Sequence, residues 1–117
     1  MVKSRNTRPV SWIKAARKAF DDFPESVQAD ALTALTIVAD GGFPSIAKPL
    51  TALGPGIQEL TLRYRTDAYR TIYAVQFEDA VWVVHAFQKK SKSGIATPKH
   101  EIEVALDRIK RLREFLK

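Results

Sequence analysis

Five cationic side chains near the ends of three successive predicted β-strands are the residues best placed to do chemistry. They are Arg63, Arg65, Arg70, Lys89 and Lys90. In an antiparallel arrangement the first strand ends where the second begins and where the third ends, so we expect all five at one edge of a sheet. An arginine can hold two phosphate oxygens in a fork, and a lysine adds a point charge. The spacing therefore predicts a binding site for a phosphodiester.

Such a site can do more than bind if its ligand is RNA. Cleavage without a metal requires a group that helps to deprotonate the 2′-hydroxyl, cations that stabilise the negative charge at phosphorus, and an acid for the leaving oxygen. Between Asp79 and Glu101 the sequence has no carboxylate, so the lysines of this stretch face no neutralisation from sequence neighbours. This absence favours an anionic ligand.

The strands that position these cations are predicted from alternating apolar and polar residues. The runs at 57–65, 69–77 and 80–87 have the β-branched and aromatic composition of strands. Only Glu78 and Asp79 separate the second run from the third, which is typical of a tight hairpin. Three strands joined by short turns make an antiparallel meander.

Helical spacing of apolar residues predicts the layers that cover this sheet. It extends over 11–23 and 24–38, which form a helical hairpin, and over a final helix capped by Thr97. A short edge strand is expected at 9–13 and an irregular connection at 43–56. The predicted fold class is α+β, with an N-terminal helical hairpin packed on a small antiparallel β-sheet and a C-terminal helix.

Length and composition limit the classes of protein that remain. The 117 residues are enough for one domain, 1–117, in which 1–8 is expected to be a flexible basic tail. No stretch is long and apolar enough to span a membrane. The formal charge of +6 favours a polyanionic partner: nucleic acid first, an acidic protein second and anionic lipid third.

Cysteine and histidine usage bears on cofactors and location. The chain has no Cys, which excludes disulfides and thiolate sites and is compatible with a reducing cytoplasm. Its two histidines are far apart, so neither a metal site nor a cofactor is expected. His85 lies inside an apolar strand and fits a hydrogen-bonded core residue better than a proton shuttle. His100 fits a solvated position at the start of the last helix.

Several of the cations and their neighbours also have a purely structural explanation. Arg63 and Arg65 alternate out of one strand, as on the solvated face of a sheet. Arg70 is equally consistent with an anion ligand and with an ion pair to Glu59 or another carboxylate, because its same-side strand neighbours are apolar. Tyr69 is most simply a core aromatic residue, although its position at a strand start also suits stacking on a base.

The stretch from His85 to Lys99 reads H-A-F-Q-K-K-S-K-S-G-I-A-T-P-K. It is accompanied by R-P-V-S-W-I at 8–13, K-P-L at 48–50 and a Tyr-Arg pair at 69–70. With the order of predicted elements, these motifs resemble the phage-derived, HigB-like branch of the RelE/ParE toxin superfamily over nearly the whole chain. The resemblance implies a compact toxin that cleaves messenger RNA in the ribosomal decoding site without a metal. It also implies a helix-turn-helix antitoxin as partner in a hetero-oligomeric toxin–antitoxin complex.

The resemblance gives catalytic roles to four residues of this sequence. Arg70 matches the arginine of the Tyr-Arg strand motif, which contacts the scissile phosphate in RNA-cleaving members. Arg63 lies near a basic position that helps to activate the 2′-hydroxyl. Lys89 and Lys90 match the basic residues after the last strand. Because arginine stays protonated, we expect Arg63 to act electrostatically rather than as a base.

Four further residues are candidates for RNA binding. Arg65, Lys92 and Lys99 would extend the basic track for messenger or ribosomal RNA, and Tyr69 is the candidate for stacking. Two departures from the family pattern concern the chemistry. Thr61 stands where many relatives have an arginine, and no tyrosine lies within 91–97 to act as general acid.

The resulting hypothesis is a cytoplasmic toxin that acts as an endoribonuclease and leaves a 2′,3′-cyclic phosphate end. Two alternatives from other classes remain at this stage. One is a non-catalytic inhibitor of DNA gyrase like ParE, or a phage accessory protein that docks its basic face on a partner. The other is a plain nucleic-acid-binding module, which would show salt-dependent affinity without forming a product.

Overall fold

The computed structural model describes residues 7–90 and 96–117, which form three α-helices and five β-strands. The strands are β1 (Val10–Trp12), β2 (Ala47–Pro49), β3 (Ile57–Tyr64), β4 (Asp67–Ala74) and β5 (Val81–Lys89). The helices are α1 (Lys14–Phe20), α2 (Glu25–Ala39) and α3 (Lys99–Phe115), and a 3-10 turn, Thr51–Leu53, follows β2. The predicted α+β class is confirmed.

The strands of the described chain form one sheet in the order β1-β5-β4-β3-β2. From β2 to β5 each strand is antiparallel to the next, whereas β1 runs parallel to β5 at the opposite edge. The predicted meander is therefore the centre of the sheet. The short strand expected near the N-terminus is also present, at an edge.

Helices cover both faces of this sheet. On one face, Phe20 of α1 and Leu35 of α2 are buried in the same cluster as Tyr73 of the sheet. On the other face, Ile109 of α3 packs in a separate cluster with Ile72. The helical hairpin therefore covers one layer as predicted, and α3 covers part of the other.

The connection between β4 and β5 is longer than the predicted two-residue hairpin. β4 ends at Ala74 and β5 begins at Val81, so residues 75–80 join them. The reason is a side chain from the N-terminal segment: Arg8 Nη1 donates to the carbonyls of Val75 at 2.9 Å and Phe77 at 2.8 Å. These two carbonyls therefore accept hydrogen bonds from a guanidinium, and not from the backbone of a longer β5.

The predicted tail at 1–8 is wrong for its last two residues. Thr7 donates a hydrogen bond from its hydroxyl to Asp40 Oδ1 at 2.7 Å, and the backbone N–H of Arg8 donates to the carbonyl of Ala39 at 3.1 Å. These contacts hold the segment against the end of α2. Residues 1–6 lie outside the described part of the chain.

The predicted irregular connection at 43–56 contains β2 and the 3-10 turn. β2 has three residues and ends in Pro49, which is tolerated at a sheet edge because a ladder hydrogen bond is not required on its outer side. So short a strand has no alternation from which to predict it.

The predicted cap of the last helix is also wrong. Pro98 occupies the N-cap position, and no side chain caps the helix. The hydroxyl of Thr97 lies 2.9 Å from Glu59 Oε2 and 3.1 Å from Oε1, so it donates to that carboxylate instead. Thr97 therefore joins the start of α3 to the sheet.

In the described ranges 7–90 and 96–117, none of the helices combines the length and the hydropathy required to cross a bilayer.

Candidate active site

The strand register brings three of the predicted cations to one end of one sheet face. Arg63 lies opposite Ala68, and Ala68 lies opposite Lys89 on the next strand. Arg70 is two residues after Ala68 and therefore points to the same side. This is the face on which α3 packs, and the strand order had predicted that these side chains meet.

Arg70 is buried in an ion pair. Its side chain is 2% exposed, and its Nη1 lies 2.9 Å from Oε1 of Glu59, which is fully buried. Glu59 also accepts the hydroxyl hydrogen bond of Thr97. Of the two explanations that the sequence left open for Arg70, the ion pair with Glu59 is therefore present. It fixes the guanidinium in one orientation.

Arg70 also lines a surface depression of about 390 Å³, here called the cationic depression. Its other lining residues come from β3 and from the segment that enters β2: Ser45, Ile46, Ala47, Lys48, Thr61 and Arg63. Arg63 is exposed, so an anion that enters would meet it directly. Arg70 then contributes a second, preoriented guanidinium to the wall.

Lys48 is a cation of this site that the sequence analysis did not select. It lies opposite Glu59 in the pairing of β2 with β3, so its side chain is on the same face. Sequence reasoning used it only as part of the K-P-L motif. β2 is too short for the sequence to show on which sheet face Lys48 lies. Only the pairing of β2 with β3 in the folded chain determines that face.

Two of the predicted cations lie away from this face. Lys90 follows Lys89 and turns to the opposite side, where its Nζ is 3.9 Å from Asp67 Oδ2. Arg65 is in the turn between β3 and β4 with φ of 59°, and its guanidinium lies 5.3 Å from the ring centre of Tyr64. The expectation that Arg65 shares a strand face with Arg63 is therefore wrong.

The predicted stacking residue is part of the core. Tyr69 faces α1 and α2, and its ring centre is 4.9 Å from that of Phe23. It is 9% exposed, so its ring face is not accessible to a base. Of the remaining RNA-binding candidates, Lys99 is exposed at the first residue of α3, and Lys92 lies outside the described residues.

His85 belongs to a partly buried polar cluster that joins α3 to β5. Its Nε2 lies 2.6 Å from Glu101 Oε1, and its Nδ1 lies 3.1 Å from Arg108 Nη1. Because Arg108 can only donate, we assign the ring proton to Nε2, which donates to Glu101. Burial lowers the pKa of His85, the hydrogen bond that its ring donates to Glu101 opposes this effect, and the charge of Arg108 adds to it. His85 is the hydrogen-bonded core residue that the sequence favoured.

Comparisons with known proteins bear on this fold. Residues 18–110 match the family described as Phage derived protein Gp49-like (DUF891). The chain belongs to this family. No curated protein sequence is significantly similar to this Gp49-like chain.

Solved structures of toxins resemble the Gp49-like chain at low sequence identity. A mutant of the Escherichia coli toxin RelE in the free state has a TM-score of 0.60 at 20% identity, covering 91% of this chain and 98% of that one. The isolated E. coli RelE toxin has a TM-score of 0.56 at 20% identity, with 90% and 98% covered. The RelBE2 toxin–antitoxin complex from Mycobacterium tuberculosis gives 0.49 at 17% identity, with 78% and 100% covered. The two RelE matches show that the Gp49-like chain has a RelE-like fold.

The side chains that line the cationic depression determine which class of ligand it suits. Within 7–90 and 96–117, no three or more His, Asp or Glu side chains are grouped so that they could hold a metal ion. The functional groups that converge on the cationic depression are instead guanidinium, ammonium and hydroxyl groups. Such a set suits an anionic substrate.

Proposed function

We propose that this protein is the toxin of a type II toxin–antitoxin system, an endoribonuclease that cleaves messenger RNA on the ribosome without a metal. The observation that carries the proposal is the cationic depression, with exposed Arg63 and preoriented Arg70 on one sheet face of a RelE-like fold. The resemblance of the stretch from His85 to Lys99 to HigB-like toxins supports the same function.

The proposed reaction is an internal transfer at phosphorus. The 2′-oxygen of one nucleotide attacks the adjacent phosphorus, and the bond from phosphorus to the 5′-oxygen of the next nucleotide breaks. The 2′-hydroxyl loses its proton and the 5′-oxygen gains one, so the products carry a 2′,3′-cyclic phosphate and a 5′-hydroxyl. Arg63 and Lys89 stabilise the charge on the phosphoryl oxygens, and Arg63 also orients the nucleotide.

Arg70 has a different part in this mechanism because it is buried. Glu59 holds it in place before substrate arrives, so no reorganisation is required when charge develops. Arg70 therefore acts as a fixed positive charge beside the exposed and adaptable Arg63.

The partners of the proposed toxin are a helix-turn-helix antitoxin and the ribosome. The formal charge of +6 suits both an acidic antitoxin and ribosomal RNA. Lys99 at the start of α3 and Arg65 in the β3–β4 turn are exposed and offer charges outside the cationic depression. Binding of the antitoxin would neutralise the toxin until it is released.

Induction in a bacterial host, followed within minutes by mapping of messenger RNA 5′ ends, tests the proposal. The variant is Arg63→Ala, which removes an exposed charge at the site. Its matched control is Arg17→Ala, which removes one exposed charge on α1, on the other layer. We expect new 5′-hydroxyl ends at fixed positions in reading frames for the wild type and the control, and at least a tenfold reduction for Arg63→Ala.

Other outcomes would redirect the proposal. Growth arrest with intact messages and DNA damage signalling would replace the ribonuclease with an inhibitor of DNA gyrase. Equal cleavage by the wild type and Arg63→Ala would leave the ribonuclease in place but move its active site elsewhere.

A further inference from the structure

A second depression lies beside the cationic one, between β2 with its 3-10 turn and the start of α3. Its volume is about 350 Å³. Its lining residues come from three short segments: Lys48, Pro49, Leu50, Thr51, Ala52, Ala96, Thr97 and Ile102. The proposed mechanism makes no use of this depression, which is here called the neutral depression.

The lining of the neutral depression is mainly aliphatic. Among the described residues that line it, Lys48 alone carries a charge, and Thr51 and Thr97 contribute hydroxyls. A ligand that matches has flat apolar faces and a polar edge without net charge. Nucleobases have these properties, whereas a phosphate or a charged side chain would find only one partner.

The two depressions share a boundary built from charged and hydroxyl groups. Lys48 lines both of them. Below it, buried Glu59 accepts hydrogen bonds from Arg70 of the cationic depression and from Thr97 of the neutral depression. A phosphate site and an aliphatic site are thus held side by side by one hydrogen-bonded chain.

We propose that the neutral depression binds a nucleobase of the RNA while Lys48 and Arg63 hold the adjoining phosphate. A nucleotide carries its base and its phosphate on the same ribose, so neighbouring sites of these two kinds fit one strand. The proposal rests on the proposed function, because that function supplies the RNA. It adds that recognition of one base position depends on the segment from Lys48 to Ala52.

The test uses short RNA analogues that cannot be cleaved. The probes are a 2′-O-methylated trinucleotide and three versions of it, each lacking one base. Affinities and amide shifts are measured by heteronuclear NMR titration of the intact protein. The variant is Ala52→Trp, which fills the neutral depression from an exposed position, and the control is Ala29→Trp, at an exposed position of α2. Ala52→Leu provides a smaller change, and urea unfolding checks that each variant folds.

We expect the complete trinucleotide to shift the amides of Thr51 and Ala52 in the wild type. One of the three base-deleted probes should bind about tenfold more weakly than the complete probe, because its base no longer leaves water. That difference should vanish in Ala52→Trp, be reduced in Ala52→Leu and persist in Ala29→Trp. Loss of the difference, rather than loss of binding, identifies the base site.

The proposal would be overturned if folded Ala52→Trp weakened all four probes equally, or if no single base mattered in the wild type. Cleavage of messages together with unshifted amides at Thr51 and Ala52 would remove the base site and leave the proposed function standing. If the probes bind through Ala52 but the protein cuts no message, the base site would stand and the proposed ribonuclease would be removed.

Discussion

Arg63 and Arg70 share a charge type and a sheet face, but they differ in solvation. Arg63 is exposed, so water solvates its charge when no ligand is present. Arg70 and Glu59 are both buried and solvate each other. Removing one member of a buried pair leaves an uncompensated charge, which costs far more than removing an exposed charge. The two arginines therefore require different experiments.

Arg70→Ala should lower the free energy of unfolding by about 3–5 kcal/mol, because it leaves the carboxylate of Glu59 buried without its cation. Arg63→Ala should change it by no more than about 0.5 kcal/mol. Urea unfolding followed by circular dichroism measures both. A loss below about 1 kcal/mol for Arg70→Ala would mean that water or another donor compensates the carboxylate of Glu59 in that variant.

Replacing both members of the pair separates stability from activity. Apolar residues of similar volume often substitute for a buried ion pair without loss of stability, so Glu59→Leu combined with Arg70→Met should unfold near the wild-type midpoint. Thr97 loses its acceptor, but it is partly exposed and can bond to water. We expect this folded double variant to produce no new messenger RNA ends on induction. Continued cleavage would show that Arg70 is structural only.

At the scale of elements, the long segments and the short edge strand β1 were predictable, whereas β2 and the connection from β4 to β5 were not. β3, β4 and β5 each have enough residues to show composition and alternation, and α2 and α3 each carry an apolar stripe. β2 has three residues, and the path from β4 to β5 depends on Arg8, more than sixty residues away. Contacts between residues so far apart in sequence cannot be predicted from the local pattern of residue types.

The same distinction applies to the candidate site. Strand order alone predicted that Arg63, Arg70 and Lys89 meet at one end of the sheet. The core position of Tyr69, which the sequence favoured, and the outward turn of Lys90 both follow from alternation, because each residue is next to one on the site face and points to the other face. Other features depend on contacts between distant segments: the placement of Lys48, and the bond from Thr97 to Glu59.

The docking of α3 on β5 should depend on pH through His85. Its pKa in the fold lies below the value of 6.5 for an unfolded chain, so the unfolded state binds the proton more readily. The contribution of neutral His85 to the free energy of unfolding is complete above pH 6.5. It decreases as the pH falls from 6.5 towards the lowered pKa of the folded state, by at most about 1.4 kcal/mol per pH unit. The ionisable groups that act on His85 are Glu101, Arg108 and His100, all of α3.

Unfolding free energies measured from about pH 7 to about pH 5.5, above the range of carboxyl titration, check this expectation. His85→Gln should flatten the dependence. His100→Gln, at an exposed position, serves as the control and should retain most of the dependence, because the charge of His100 is only the last of the causes that lower the pKa of His85. An equal slope in His85→Gln and the wild type would assign the pH dependence to other groups.

At the scale of the whole molecule, the formal charge of +6 attracts any polyanion. Net charge by itself does not distinguish cations that contact RNA from cations that only raise the local potential. Arg63 and Lys48 lie on the face of the cationic depression, whereas Arg17 lies on α1 in the opposite layer. A specific site and a diffuse basic surface therefore make different predictions for these three residues.

The salt dependence of binding decides between them. Each phosphate contact of a single strand contributes about −0.7 to the slope of log affinity against log salt, because counterions are released. With a 2′-O-methylated oligonucleotide, Arg63→Ala and Lys48→Ala should each reduce the magnitude of the slope by about 0.7, and Arg17→Ala should leave it unchanged. Equal reductions in all three variants would indicate a diffuse basic surface, because then every cation would count alike. If only Arg63→Ala and Lys48→Ala reduce the slope, the phosphates of the RNA would lie along the cationic depression as far as its boundary with the neutral depression.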